Sequence, residues 1–427
     1  MKLKFINANA AIRKAIRNGN RVIISQACGE PQTLLEALAE EIENFKNIEI
    51  VSGLLLHDYE FLKKSEREHY QYTTTLVTQN TREAVRAGIV NFVPLRHLDF
   101  VRAFSLEEGR TIDVAFIQVS PPDHLGYCNL GVSVGYNYLL SQNANIVVAE
   151  VNEEMPRTHG QTSLHVSSID YFVPVSRPLR VYSPPNVFTD IEHKIAQHVA
   201  ELIPDGSTLQ IGIGSIASAI LPCLKGKRDL GVHSGMITDD ILELIYDGVV
   251  NNVRKKINRR ITVSGELMGS QRLFDFADDN KSIELYPLAY THDPRILGKL
   301  DNFISMTSAL EMDLMGQANS ESVEGVQTGG VGGQFDFIEG AFFSRGGKSI
   351  IAMPSTARSE KISRIVPKLC AGSVVTIPRY ATDYVVTEYG IARIYGKSLH
   401  ERAEALISIA HPKFRNELWN EFFSKKN

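Results

Sequence analysis

One order of segments occurs twice in this chain and constrains its fold more than any other feature. Residues 8–16 place apolar side chains at helical spacing, Asn18-Gly19-Asn20 make a turn, and 21–25 form a β-branched run; Gly29-Glu30-Pro31 then opens a helical stretch over 34–42. The same order returns as a helical pattern over 191–203, a Pro204-Asp205-Gly206 turn, an apolar strand over 208–211, a Gly212-Ile213-Gly214 loop and a helix opening at 216–221. The repetition points to an internal duplication. Further apolar runs at 48–51, 114–117, 146–149, 261–263, 349–352 and 374–377, most of them separated by helical segments, read as central, mainly parallel strands covered on both faces. The expected fold class is therefore α/β, with two tandem related open-sheet domains.

A chain of 427 residues exceeds what one hydrophobic core usually organises, so two domains are the default. The segment 176–189 carries Pro178, Pro184 and Pro185 and lacks both helical and strand periodicity, which sets the expected domains at 1–185 and 186–427. With 43% apolar and 22% charged residues and a net charge of −4, the chain has no overall attraction for nucleic acid, and any anion must be held by a local site. Cys28, Cys128, Cys223 and Cys370 stand far apart, giving neither a zinc spacing nor a disulfide framework. A reducing cytoplasm is expected. The histidines lack ligand spacing, so no metal is expected, and residues 1–24 hold no apolar run of membrane or signal length.

Two glycine loops are candidate sites. At Gly212, Ile213, Gly214, Ser215 and Ile216 a strand runs into glycines and then a helix start, where exposed amides suit a phosphate or a developing oxyanion; a tight packing turn is the alternative. The same residues fit the G-x-G-x-x-A dinucleotide fingerprint, which would make the protein a nicotinamide-dependent oxidoreductase. That fingerprint needs an acid about 20 positions on. Here the next strand ends in Gly231-Val232-His233-Ser234-Gly235, without one. The second loop has Gly329, Gly330, Gly332 and Gly333, a stretch almost without Cβ atoms that lets backbone amides approach a bulky ligand, or else serves as a hinge. Arg345 and Lys348 follow it.

Several long motifs in order resemble the acetyl-CoA hydrolase/transferase family, which includes 4-hydroxybutyrate CoA-transferase. They are residues 329–337, 347–357 and 384–392, Ile409-Ala410-His411-Pro412, Gly29-Glu30-Pro31, and 113–131 with its Ser120-Pro121-Pro122-Asp123 core. The resemblance implies tandem CoA-transferase-type α/β domains with the active site in the interdomain cleft, and a homodimer or higher homo-oligomer. It also implies acyl-CoA and a small carboxylate as substrates, with coenzyme A entering as a substrate and no permanently bound cofactor. Gly212 to Ile216 would line the CoA site and help form the oxyanion hole, the 329–333 loop would complete it, and Asn319 and Lys348 would contact CoA or substrate. Asn319 also fits a turn, and Lys348 a surface charge.

Members of the family use a glutamate nucleophile in a motif of histidine, serine or threonine, glutamate, and methionine or phenylalanine. Here that motif reads His233-Ser234-Gly235-Met236. Glycine has no side chain to attack a thioester, so the carboxylate must come from elsewhere or transfer must proceed without a covalent intermediate. A third alternative is that the chain hydrolyses or merely binds acyl-CoA. Glu60 and Glu266, each just past an expected strand end, are the candidate substitutes, with Glu324 beside the glycine loop a weaker one; His233 or Glu266 would serve as base in a hydrolase. Arg96, His97 and His57 are candidate holders of a second carboxylate.

Overall fold

The computed structural model describes residues 4–62, 68–104, 111–183 and 186–423; Pro184 and Pro185, at the expected boundary, lie outside these. The chain forms two compact units: 1–183 with 235–239 and 263–291, and 184–234 with 240–262 and 292–427. Against an expectation of two contiguous halves, two later segments return to the first unit. No helix among the described residues is long and apolar enough to cross a membrane.

The first unit is built on seven parallel strands: β1 (Arg21–Ile24), β2 (Ile48–Ser52), β3 (Tyr70–Thr74), β4 (Asn91–Phe92), β5 (Ile112–Val119), β6 (Ala144–Asn152) and β7 (Tyr171–Val175). Their spatial order is β7-β6-β5-β1-β2-β3-β4. The β-branched and aromatic strand residues Val22, Ile24, Ile50, Phe116 and Val148 form one buried cluster with Ala11 and Ile12 of α1 (Ala8–Ala15) and Leu34 and Leu38 of α2 (Gln32–Glu41). The Asn7 side chain accepts from the Ala10 amide and so starts α1. Helix α2 is started from a distance. The Glu150 carboxylate, on β6, accepts from the Thr33 and Leu34 amides at 2.7 and 3.0 Å.

In the second unit, β8 (Thr208–Ile211), β9 (Gly231–Val232), β10 (Phe303–Thr307), β11 (Lys348–Ala352), β12 (Tyr384–Thr387) and β13 (Gly390–Arg393) lie in the order β9-β8-β10-β11-β12-β13. All neighbours are parallel except the closing β12–β13 hairpin. A capping box between Thr189 and Glu192 starts α3 (Asp190–Glu201), the helix that precedes β8 as α1 precedes β1. After β8 comes α4 (Ser215–Ile220), and α5 (Gln334–Phe343) leads into β11. The expected strand at 374–377 does not form. The run lies between Gly372, at φ +85°, and Pro378; it keeps one bridge from Ile377 to Ala318, commits the Thr376 hydroxyl to the Ser320 amide and Glu321, and leaves Val374 and Val375 exposed.

Candidate functional site

In the first unit, two short strands, Met236–Ile237 and Glu266–Leu267, pair in parallel with Met236 opposite Glu266. The Gly235 carbonyl accepts from both the Gly265 and the Glu266 amides at 3.1 Å. Glu266 therefore stands on the strand beside the glycine that interrupts the expected nucleophile motif. Its other flank is fixed by a bridge to Ser133, by the Leu267 amide donating to Val132 O at 2.8 Å, and by the Val134 and Gly135 amides donating to Gly265 O.

The Glu266 side chain is only 3% exposed. Its Oε1 accepts from Gln26 Nε2 at 3.2 Å, and its Oε2 has no hydrogen-bond partner among the described residues. Burial pushes the carboxyl up to about 8, opposed by the nearby Ser133 hydroxyl and the Gln26 amide. Gln26 follows the C-terminal end of β1, where open α/β sheets place their ligands, and its own Oε1 is held by the Leu54 amide at 3.2 Å. Two glycines make room for the pair. A Cβ at Gly135 would overlap Glu266 Oε1, and one at Gly53 would overlap Gln26 Oε1. Ala27, next to Gln26, adopts the left-handed conformation at φ +57° and donates its amide to Leu54 O at 2.8 Å, a strained turn that clamps the end of β1 to the segment after β2.

Glu30 completes the same turn. It is fully buried and accepts from the Leu56 amide and, at 3.0 Å, from the Tyr59 hydroxyl. Burial raises it to about 7 against those bonds and the Arg180 charge, so the Gly29-Glu30-Pro31 motif has a structural explanation here. Glu60 is exposed at the start of the 60–62 turn, outside the buried pocket of Glu266. His57 is exposed, and Arg96 and His97 are half-buried.

In the second unit the expected loop residues Gly212, Ile213, Gly214, Ser215 and Ile216 all line one pocket of about 260 Å³. Its other walls come from Met306–Ser308 and Ala352, so the C-terminal ends of β8, β10 and β11 converge on it. Gly214, at φ +118° and ψ 170°, precedes α4 in a conformation that only glycine adopts readily. The second glycine loop reaches the same wall. Gly333 precedes α5, whose Gln334 side chain donates to Ser308 O at 2.8 Å; a Cβ at Gly333 would lie 2.6 Å from the His292 ring. Gly329 is held to Glu321 O at 2.9 Å, Gly332 takes φ +54°, and Gly330 lies between them.

Two of the expected contact residues are not in this pocket. Asn319 is fully buried at the end of a two-residue strand, Ala318–Asn319, where its side chain donates to Glu311 Oε1 and Ser322 O and accepts from the Glu321 and Ser322 amides, bracing the turn that follows. Lys348 begins β11, at the strand end opposite Ala352, and its Nζ donates to Leu202 O at 2.6 Å. Glu324 pairs with Arg358 at 2.7 Å, and His233 is fully buried. The residues that sequence reasoning missed are Gln26, Gly53, Ser133 and Gly135. Only the position of Gln26, a polar side chain directly after an apolar strand, could have marked any of them.

Comparison with known proteins agrees with the motif resemblance. Residues 2–177 match the acetyl-CoA hydrolase/transferase N-terminal domain and 269–422 the C-terminal domain. The chain is 45% identical to the 4-hydroxybutyrate coenzyme A transferase of Clostridium kluyveri, over 99% of this chain and 97% of that one. It is 37% identical to the succinyl-CoA:cyclohexane-1-carboxylate CoA transferase of Geobacter metallireducens, over 94% and 91%. The solved structure of 4-hydroxybutyrate CoA-transferase from Porphyromonas gingivalis superposes with a TM-score of 0.85 at 36% identity, covering 99% of this chain and 98% of that one.

Proposed function

Because this chain belongs to the acetyl-CoA hydrolase/transferase family and is a coenzyme A transferase, we propose that it moves CoA between short-chain acids with Glu266 as its nucleophile. The observation that carries this reading is the placement of a buried carboxylate, with one oxygen unpartnered, on the strand beside Gly235. The missing side chain is thereby replaced from the neighbouring strand. A carboxylate has the chemistry required: Oε2 attacks the thioester carbonyl, the carbon–sulfur bond breaks, and CoA leaves as thiolate from a mixed anhydride. The thiolate then attacks the glutamyl carbon, the donor acid leaves as carboxylate, and the glutamyl-CoA thioester remains until the second acid reverses both steps.

The Gly212–Ile216 loop and its 260 Å³ pocket are assigned to coenzyme A, which enters as a substrate. The acids proposed are 4-hydroxybutyrate first, supported by the printed activity of the relative at 45% identity, with butyrate, acetate and small dicarboxylates as the other members of the panel.

The test is a chromatographic assay of purified protein with acetyl-CoA or butyryl-CoA and each acid, recording new acyl-CoA and free thiol separately. A new acyl-CoA that depends on the added acid is expected, and its loss in Glu266→Gln. Free CoA alone, without acid-dependent exchange, would make the protein a hydrolase and overturn the proposal.

A further inference from the structure

The buried environment of Glu266 raises a question that the identity of the nucleophile leaves open: which of its two oxygens reacts, and what stabilises the glutamyl carbonyl. Oε1 is engaged by the Gln26 amide at 3.2 Å, and Oε2 has no hydrogen-bond partner among the described residues, the proton of the nearby Ser133 hydroxyl being directed to Gln26 O. Gln26 cannot turn its amide round without cost, because its Oε1 accepts from the Leu54 amide at 3.2 Å. A flipped Gln26 would face that amide with an NH₂ group, a repulsive contact at every pH, and would turn a carbonyl towards Glu266 that repels it once ionised, in a site where both side chains are at most 5% exposed. Its backbone is fixed as well, by the Ala27 turn at φ +57° and by the Ser133 hydroxyl, which donates to Gln26 O at 3.4 Å. The spaces that the two side chains occupy exist because positions 53 and 135 are glycine.

The geometry points to Gln26 as a catalytic residue that holds Glu266 Oε1, leaves Oε2 as the attacking atom, and hydrogen-bonds the glutamyl carbonyl oxygen throughout the reaction. This rests on the reading of Glu266 as the nucleophile. In the first step, Oε2 forms the bond to the thioester carbon, sulfur departs with the electron pair, and Oε1 becomes the glutamyl carbonyl oxygen. When CoA thiolate attacks the glutamyl carbon, negative charge develops on that same Oε1. Gln26 Nε2 is already within hydrogen-bond distance of it, so the donor needs no rearrangement as the charge forms. Breakdown releases the donor acid with the bridging oxygen, and the glutamyl-CoA carbonyl keeps its bond to Gln26.

The ionisable groups around Glu266 make its titration readable. Cys28 and Glu30 come from the turn after β1, Tyr136 from the segment after Ser133, and Asp239 from the start of the helix that follows the Met236–Ile237 strand. Burial pushes the Cys28 thiol up to about 12 and the Tyr136 hydroxyl upward, so both stay protonated at neutral pH. Asp239 is tied to the Ser270 amide and hydroxyl at 2.8 Å; Glu30, bonded to Leu56 and Tyr59 and raised to about 7, titrates inside the measured range in every variant, so the Glu266 midpoint is read as the difference between variants.

The experiment compares the full-length protein with Gln26→Leu, which keeps the shape and removes the donor, and Gln26→Glu, which keeps the acceptor for Leu54. Transfer is measured from pH 5.5 to 9.5. Gln26→Leu is expected to lower kcat by about 10²-fold at pH 7 with KM for acyl-CoA within threefold. Its acid limb should move to higher pH by about one unit, and that of Gln26→Glu further, since two buried carboxyls then share a proton. A midpoint that stays at the wild-type pH in both variants, with any loss of rate equal at every pH, would overturn the role of Gln26. Should Gln26→Leu fail to fold, the same criterion is read from Gln26→Glu. Borohydride trapping after incubation with acyl-CoA separates the two claims. No label at Glu266 in the wild-type protein overturns the nucleophile itself, whereas a label there with unmoved midpoints overturns the Gln26 role alone.

Discussion

Gly135→Ala is the smallest change that reaches the proposed nucleophile without touching it. A Cβ at this position would lie 3.4 Å from Glu266 Cδ and would overlap Oε1, so the carboxylate must swing away. Gly135 is not in the left-handed region, so the backbone accepts alanine and the perturbation falls on the carboxylate. Restoring ordinary contact displaces Oε1 by about 1 Å, and misplacements of that size cost about 10²-fold in rate. The displacement also lengthens the bond from Gln26, which is 3.2 Å at the outset. The variant is expected to lose about 100-fold in kcat for acid-dependent formation of new acyl-CoA, with KM for acyl-CoA changed less than threefold. The comparison with Glu266→Gln is decisive. If the alanine methyl acts through the carboxylate, adding Gly135→Ala to Glu266→Gln removes nothing further, because residues acting as a unit are not additive. A single variant within threefold of wild type, or a double variant much slower than Glu266→Gln alone, would refute the placement of Glu266 at the reacting centre.

With Glu266 raised to about 8, kcat/KM for acyl-CoA should rise with pH through a midpoint near 8 and level off only about one unit above it. At pH 7 only about a tenth of the carboxyl is then ionised; an acid limb centred below pH 6 would contradict this. The same shift predicts a slope in stability. The folded state holds a proton that the unfolded state has lost above about 4.5, so the contribution of Glu266 is intact below that pH and declines by about 3 kcal/mol between pH 5 and pH 8. Chemical denaturation at the two pH values should show Glu266→Gln less pH-dependent than wild type, and equal slopes would count against the buried, protonated state. In the second unit, Gly214→Ala places a Cβ at φ +118° and ψ 170°, which should cost about 1–3 kcal/mol of stability by the same measurement and raise KM for acyl-CoA more than it lowers kcat.

Fold class was legible because its signal is local. Strands β1, β2, β5, β6, β8 and β11 are built on β-branched runs bounded by turns, and their largely apolar character follows from helices covering both faces. β10 was hidden by Ser305 and Thr307 inside it, and 374–377 imitated a strand by composition alone. The Gly212–Ile216 loop was readable for the same local reason: a strand, two glycines and a helix start are contiguous. The carboxylate centre was only half readable. Glu266 could be named from its place after a strand, but its partner Gln26 is 240 residues away and was not visible to any periodicity. Asn319 and Lys348 illustrate the converse, since a side chain capable of ligand contact is as readily consumed by a turn or a backbone carbonyl.

The threading of the chain has a consequence for its synthesis. The first unit is closed by segments 235–239 and 263–291, well past residue 183 where its first contiguous stretch ends. At ribosomal rates of about 5–20 residues per second, the 108 residues from 183 to 291 take roughly 5–20 s to appear. During that interval the nascent sheet exposes the groove around Gln26 and Gly135 without the strand that fills it. A nascent chain stalled in this window should be open to protease near residues 26 and 135, and a holdase chaperone would find its site there before the carboxylate arrives.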